Sequence, residues 1–547
     1  MTEPAASALP STLPELLDRA VARHGEAPFI GVRTSRARER TLTFAEFGVA
    51  VERASARLAA AVPRGACIVL QGAPGPSVAA ALFAAARAGV ILVPLDARMT
   101  PDTVDRICAL VEPAALLVGS GATIDAVAVP RIATLPVLDL DDLIDPVDAM
   151  TAAALADREP AGVDDPVEVL CTSGSTGSPK GVTVTQRMLI ASTARCLATI
   201  PPATHRFVSI LPLSHIMEQV AGLIYAVAVG AEVEYVASLR PDLIAVAIRE
   251  HRATALVLVP QVLDLLFRAI EREADRAGSG ASFRRALRIA PYLPVPARRR
   301  LFARVHAALG GELRLVLSSA AHLPPALQRR WEALGIEVVQ GYGSTEAGLV
   351  TTNFPGRTPS GRIGWSLPPT EMRLEPDGEI VVRGPSVFAA YWRDPASTAE
   401  VFTADGFYRT GDIGAVDTSG AVRLIGRSRA MIVLANGMNV HPEDVDGALV
   451  AAGLAEPVAY ETDEGRIGVA VRSGVAFGAP TEGEDSAVTE AVRAANRRLA
   501  PHQRVAGWAA YPDADFPRTH TLKVQRGPVG LRMRGIDLIP GRADAPA

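Results

Sequence analysis

The sequence predicts an α/β protein of several compact units, and three observations predict it. Helix-like and β-rich runs alternate through the first two thirds of the chain, a β-rich region punctuated by turns follows, and mixed character returns after Gly426. Length agrees, because 547 residues exceed what one ordinary hydrophobic core holds, and about three or four units are expected. With 49% hydrophobic and 21% charged residues, the chain has ample apolar surface to bury.

From Leu42 to about Thr185, the helical pattern of Phe44 to Ala61 gives way to β-rich runs at Ala66 to Leu70 and Val90 to Val93. The apolar stretch Ser77 to Val93 is interrupted by Arg87 and stopped by Pro94. A membrane span wants about 20 nearly uninterrupted apolar residues, so a buried helix followed by a strand is expected there. A second alternating region runs from Arg206 to Tyr342, where helical Pro241 to Arg252 precedes Ala255 to Val259 and helical Pro324 to Leu334 precedes Ile336 to Val339. Gly361 to Ile425 reads as all-β, with Glu371 to Leu374 and Glu379 to Arg383 flanking the turn Pro376-Asp377-Gly378. After Gly426 a small separate domain is expected, with a polar loop at Ala479 to Asp485.

Acidic and basic groups nearly balance, 59 against 55, for a net charge of −4; a nucleic-acid partner is disfavoured and a small molecule fits better. Cys67, Cys108, Cys171 and Cys196 form no C-x-x-C pair, which points to a reducing compartment. Neither end carries a recognisable leader or lipidation signal, and a cytoplasmic location is expected.

The strongest local signal is Thr172-Ser173-Gly174-Ser175-Thr176-Gly177-Ser178-Pro179-Lys180-Gly181, which follows the apolar run Val167 to Leu170. Small residues let backbone N–H groups close around phosphate oxygens, hydroxyls add donors, and the lysine neutralises charge. It is not the Walker A pattern, since Pro179 stands where that pattern has glycine before the lysine. A flexible Gly/Ser linker accounts for neither the preceding strand nor the Pro-Lys-Gly exit. The loop resembles the phosphate motif of the adenylate-forming superfamily of acyl-CoA synthetases, luciferases and peptide-synthetase adenylation domains.

Further motifs follow in that family's order. Gln340-Gly341-Tyr342-Gly343-Ser344-Thr345-Glu346 is a specific match. The resemblance implies Tyr342 against adenine, Thr345 at the α-phosphate and Glu346 on Mg²⁺, where a hard cation offsets phosphate charge. Tyr408-Arg409-Thr410-Gly411-Asp412 and Leu424-Ile425-Gly426-Arg427 imply Asp412 on the ribose hydroxyls with Arg427 nearby. The resemblance also implies a large adenylation domain over residues 1–426, itself α/β with a β-rich part, and a small mobile α+β domain over 427–547. The hinge is then Arg429, and the glycine loop around Gly437 lines the thiol tunnel; taken alone, Asn436-Gly437 reads as a hairpin turn. Lys523, within Phe516-Pro517-Arg518-Thr519-His520-Thr521-Leu522-Lys523, matches the lysine that bridges carboxylate and α-phosphate during adenylation. Arg429 and His520-Thr521-Leu522 depart from the residues most members carry. The resemblance covers about Leu13 to Arg526.

Leu211-Pro212-Leu213-Ser214-His215-Ile216-Met217-Glu218-Gln219 matches the start of the family's acyl pocket, with His215 beside the reacting carboxylate and Ile216 lining the pocket. No aspartate is present there to hold an α-amine, which disfavours an amino acid. Apolar Ile216, Met217, Val220 and Ile224 point to a hydrophobic or fatty acid, each buried methylene contributing roughly 0.8 kcal/mol. Ser319 and Ala320, in Ser318-Ser319-Ala320-Ala321-His322-Leu323, stand where many relatives carry glycines. The implied reaction is ATP- and Mg²⁺-dependent formation of acyl-AMP with pyrophosphate release, then transfer to a thiol, coenzyme A by default. Alternatives are loading of a carrier protein, another nucleophile including β-lactone formation, and a nucleotide-binding relative without catalysis.

Overall fold

The structure, a computed structural model, describes residues 9–35, 41–96, 99–124, 129–156, 158–173, 179–200, 203–238, 240–319, 321, 323–353, 360–366, 368–427, 432–434, 439–474, 483–518 and 524–540. Two compact units make up the chain: Met1–Met372 with Val382–Tyr408, and Arg373–Val381 with Arg409–Ala547. Packing groups Arg409 to Gly426 with the second unit, N-terminal of the boundary at 427 that the resemblance implies.

In the first unit, six strands form a sheet in the order Val137–Asp139, Ala115–Val118, Cys67–Gln71, Ile91–Leu95, Pro166–Ser173 and Pro179–Thr185. The first five pair in parallel, and Cys67–Gln71 and Ile91–Leu95 are buried at every position, which is why they read as unbroken apolar runs. Phe44–Ala61 starts at a reciprocal cap, with the Glu46 amide donating to Thr43 Oγ1 (3.2 Å) and the Thr43 amide to Glu46 Oε2 (2.9 Å). Pro76–Ala88 starts on proline and ends at Gly89 (φ 65°), and all but three of its residues are buried. The stretch Ser77 to Val93 is thus a buried helix and then a strand, and no described helix is long and apolar enough to cross a membrane.

A nine-stranded sheet completes this unit, in the order Trp365–Ser366, Gly348–Thr352, Glu337–Ser344, Leu315–Ser318, Ala255–Leu258, Arg206–Ser209, Glu232–Val236, Pro28–Arg33 and Leu42–Thr43. Its middle pairs are parallel and both ends turn antiparallel. The α/β alternation expected of both regions is present. Gly361 to Ile425 is not all-β: Pro395–Glu400 forms a short helix, with Asp394 Oδ1 accepting from the Ser397 amide at 2.9 Å and proline in the first turn. Two strands flank Pro376-Asp377-Gly378 as expected.

The second unit has a sheet ordered Val458–Glu461, Ile467–Val471, Gly507–Ala510 and Ile539–Pro540. Helices Pro442–Ala451 and Glu484–Asn496 pack on it through Leu449, Val488, Val492 and Trp508, an α+β arrangement. The short strands Ile432–Val433 and Asn439–Val440 pair antiparallel, and Asn436-Gly437 lies outside the described residues. All four cysteines are free thiols.

Candidate active site

The phosphate motif joins two strands of one hairpin. Pro166–Ser173 and Pro179–Thr185 pair antiparallel with Thr172 opposite Lys180 and Ser173 opposite Pro179, which fixes where Lys180 leaves the sheet. Thr172 Oγ1 donates to the Lys180 carbonyl (3.5 Å). Gly181 must be glycine because a Cβ would meet Val169 Cγ1 at 2.7 Å and Trp392 Cβ at 3.1 Å. That close approach brings up a segment no motif had flagged. The Trp392 amide donates to the Gly181 carbonyl (2.7 Å), and Tyr391 bridges to Val182.

Tyr391 is where the motifs meet. Lys180 Nζ lies 4.9 Å from the centroid of its ring, and its hydroxyl donates to Glu346 Oε1 at 3.3 Å. The Phe388 amide also donates to the Glu346 carbonyl (2.7 Å), so the segment carrying Tyr391 grips both backbone and side chain of Glu346. Thr345 and Glu346, both half-buried, occupy the turn between Glu337–Ser344 and Gly348–Thr352. Gly343 permits this tight hairpin, since a Cβ there would sit 1.9 Å from the Gly348 carbonyl oxygen. Asn353 closes the entry to the motif: its Oδ1 accepts from the Gln340 amide (2.6 Å) and its Nδ2 donates to the Val338 carbonyl (3.3 Å).

Tyr342 and Gln340 are buried, Gln340 opposite Ser318 in register, and Ser319 Oγ lies 3.7 Å from where a Gly341 Cβ would stand. The proposed nucleotide and acyl segments are neighbours here. Gln340 Oε1, Ser318 Oγ and Ser214 Oγ are buried polar atoms with no hydrogen-bond partner among the described residues, which suits a ligand that brings its own donors.

The helix Gln186–Thr199 follows the hairpin directly, capped by Thr185 Oγ1, which accepts from the Met188 amide at 3.4 Å. Its far side holds the Glu346 hairpin: the Leu349 amide donates to Ser192 Oγ (3.3 Å), and Arg195 Nη1 donates to the Val350 carbonyl (3.0 Å). Arg195 also donates to Thr370 Oγ1, and burial pushes its guanidinium down to about 10.

His215 and Ile216 are half-buried on the segment after Leu213. The Gln219 amide donates to the His215 carbonyl (3.1 Å), and Gln219 Nε2 donates to the Leu213 carbonyl (2.8 Å) and to Glu168 Oε1 (3.1 Å). One glutamine thus ties the His215 segment to the strand that leads into the phosphate loop. Burial pushes the Glu168 carboxyl up to about 8 against the pull of that hydrogen bond. Glu218 opens the π-helical turn Glu218–Ile224, accepts from Ser209 Oγ (2.5 Å), and is likewise raised by burial to about 8.

Within the second unit, Asp412 and Arg427 are cross-strand partners, with Arg427 Nε donating to Asp412 Oδ1 at 2.9 Å. Asp412 is buried and Arg427 exposed. Glu379 shapes the preceding turn, accepting from the Gly411 amide (3.0 Å) and pairing with Arg409 (2.5 Å).

A family model described as AMP-binding enzyme matches residues 17–392. The chain belongs to the AMP-binding enzyme family. It is 32% identical over 311 residues to the long-chain fatty-acid–CoA ligase FadD15 of Mycobacterium tuberculosis, a match covering 53% of this chain and 51% of that protein. The chain therefore spans about half the length of that curated relative. Indoleacetate–CoA ligase of Aromatoleum aromaticum is 28% identical over 517 residues, 90% of this chain and 93% of the other. Among solved structures, O-succinylbenzoate coenzyme A synthetase of Bacillus subtilis in complex with AMP is similar in fold, with TM-score 0.73 and 21% identity over 95% or more of both chains (97% and 99%). The adenylation domain of a carboxylate reductase from Mycobacterium chelonae has TM-score 0.77 at 20% identity, covering 96% and 91%.

Of the residues expected to serve this AMP-binding fold, Thr172, Lys180, Gln340 to Gly343, Thr345, Glu346, His215, Ile216 and Ser319 lie in the first unit, Asp412 and Arg427 in the second. Gly174, Ser175, Thr176, Gly177, Ala320, Arg429, Gly437 and Lys523 lie outside the described residues, as does the side chain of Ser173. Sequence reasoning missed Tyr391, Glu168 and Arg195, and it gave Gln219, the last residue of the His215 motif, no role of its own. The aromatic pair Tyr391-Trp392 ahead of the helix-starting Asp394-Pro395 was a usable hint for the first.

Proposed function

We propose that this chain activates a hydrophobic carboxylic acid with ATP and Mg²⁺ and passes the acyl group to coenzyme A. The meeting of Lys180 and Glu346 on Tyr391 carries the reading. It couples the cation of a phosphate loop to the carboxylate of a second motif, as a bound polyphosphate requires. Relatives named as coenzyme A ligases of fatty and aryl-acetic acids support the acid class and the acceptor.

In this reading Thr172 to Gly177 and Lys180 hold the phosphates, Gln340 to Gly343 the adenine, Thr345 the α-phosphate, and Asp412 with Arg427 the ribose. Mg²⁺ needs only one or two protein carboxylates when phosphates supply further oxygens, and Glu346 fits, because Tyr391 engages Oε1 and leaves Oε2 for a cation. Bound there, the ion neutralises phosphate charge. The acid's carboxylate oxygen attacks the α-phosphorus, the bond to the bridging oxygen breaks, and pyrophosphate leaves. Lys523 bridges the two anions during that step. A thiolate then attacks the acyl carbon and AMP departs. The small domain 427–547 that the resemblance implies turns about Arg429 between the steps and brings Gly437 to the thiol path. Ile216, Ser319 and Ala320 line the acyl pocket with His215 near the carboxylate. A cytoplasmic setting goes with this reading.

Pyrophosphate release from Mg·ATP, measured across fatty, aryl, hydroxy and amino acids with and without coenzyme A, tests the proposal. Release confined to apolar acids, followed by an acyl-CoA product, is expected. Release with amino acids alone, or acyl-AMP that coenzyme A does not consume, would overturn the acid class or the acceptor.

A further inference from the structure

Isolated exposed apolar side chains are ordinary on a soluble protein, but here four of the eleven large ones among the described residues crowd into thirteen positions: Ile289 (50% exposed), Tyr292 (88%), Val295 (43%) and Leu301 (46%). The same stretch is strongly basic. From Arg276 to Gly311 the sequence holds eight arginines and no aspartate or glutamate, in a chain whose net charge is −4. Arg285, Arg288 and Arg300 are exposed, and none forms an ion pair among the described residues, whereas Arg284 pairs with Asp275 at 2.9 Å.

The display is built rather than loose. Beneath it, Phe283 packs edge-on against Phe302 (centroids 5.5 Å apart) and beside Phe267 (6.4 Å). Arg298 spends its guanidinium inward, donating to the carbonyls of Leu293 (2.7 Å), Pro291 (3.0 Å) and Glu332 (3.0 Å), which braces the turn carrying Tyr292. Pro291, Pro294 and Pro296 further restrict that turn. A braced segment with exposed apolar side chains, a tyrosine among them, and arginines without ion-pair partners among the described residues has the chemistry of an interfacial membrane contact: apolar groups enter the headgroup–acyl boundary and cations meet anionic lipid.

We infer that the surface formed by Gly280–Ile289 through Leu301 docks this protein peripherally on anionic lipid bilayers. A soluble polyanion would use the arginines but give the aliphatic Ile289, Val295 and Leu301 no apolar cover, so the exposed apolar side chains together with the arginines favour the bilayer. The inference does not depend on acid activation, although a bilayer is where a hydrophobic acid resides.

Co-flotation of the full chain with vesicles of phosphatidylcholine, alone or with a third of phosphatidylglycerol, tests it. Binding is expected only with the anionic vesicles, and it should weaken steeply as salt rises above about 0.1 M. Each exposed arginine contributes about fivefold in partitioning. Arg285→Gln/Arg288→Gln/Arg300→Gln should therefore lower binding about a hundredfold. Ile289→Ser/Tyr292→Ser should lower it about tenfold or more at constant charge. Unchanged circular dichroism and unchanged pyrophosphate release with a water-soluble acid exclude misfolding. Absence of any preference for anionic vesicles overturns the inference. Loss in the arginine variant with wild-type binding by the Ile289/Tyr292 variant also overturns it, pointing to a soluble polyanion as the occupant.

Discussion

Replacing Tyr391 with phenylalanine removes one hydroxyl and keeps the ring. The hydroxyl donates to the Glu346 carboxylate at 3.3 Å, and the ring lies 4.9 Å from Lys180 Nζ. Hydrogen bonds to charged groups contribute about 1.5–3 kcal/mol, and the long distance puts this one near ~1.5 kcal/mol. If Glu346 holds the cation that accompanies ATP, that loss raises the KM for Mg·ATP about tenfold, with kcat nearly unchanged because the reacting atoms are not touched. Tyr391→Leu also removes the cation–π contact, about 0.5–1 kcal/mol, and should cost a further threefold or so. It additionally breaks the contact with Phe388 (centroids 4.8 Å apart), so its Tm falls while that of Tyr391→Phe barely moves. The assay is pyrophosphate release titrated with Mg²⁺ at fixed ATP, repeated with ATP at saturating Mg²⁺. A Tyr391→Phe midpoint within twofold of wild type, or a leucine variant no worse than the phenylalanine one, would refute the coupling of Lys180 to Glu346 through this ring.

Lys180 and Lys523 are the only lysines in the sequence, so the only other side-chain ammonium is Lys180, which lies over the Tyr391 ring. Lys523→Ala should abolish acyl-AMP formation yet leave thiol transfer from supplied acyl-AMP largely intact; equal loss of both steps would remove the residue from its role. The Glu168 carboxyl, raised by burial to about 8 from an unfolded value of 4.5, is protonated in the fold while the unfolded chain ionises. Its contribution to stability is therefore present below the unfolded pKa and fades as pH rises towards the folded one. Glu168→Gln should then raise Tm more at pH 8 than at pH 5 in thermal melts; equal shifts at both would show that the carboxyl is not neutral in the fold. Arg195→Met should destabilise by about 3 kcal/mol in urea titrations, since it strands the Val350 carbonyl and Thr370 hydroxyl. Loss below about 1 kcal/mol would mean that the Glu346 hairpin stands without it.

Much of the architecture was legible because local physics and tertiary context agree there. Phe44–Ala61 has a reciprocal cap and an apolar stripe, and Pro76–Ala88 is bounded by proline and glycine, so both could be placed from the chain alone. Pro395–Glu400 escaped because a six-residue helix with no buried residue leaves no periodicity, only the cap Asp394-Pro395. The motifs were legible as compositions suited to phosphate, but their juxtaposition was not. Nothing linear says that Gly181 admits Trp392 or that Tyr391 then reaches Glu346; that follows from a missing Cβ and a backbone pairing. Gln219 was equally hidden, since its partner Glu168 is an acidic residue inside an apolar strand and reads as an interruption until its burial is seen.

The helix Gln186–Thr199 grips the Glu346 hairpin at one end of its sequence neighbourhood and continues from the phosphate hairpin at the other, whereas His215 and Ile216 ride on a separate segment before a π-helical turn. Under the proposed function, nucleotide handling and acid handling have different supports, joined at the hydrogen bond from Gln219 to Glu168. Such a division gives evolution, or an engineer, a chassis and an exchangeable cartridge. If the proposed roles hold, residues 212–224 can drift toward new acids while the frame proposed to face ATP keeps its shape, provided the residue at 219 still bridges to the strand behind it.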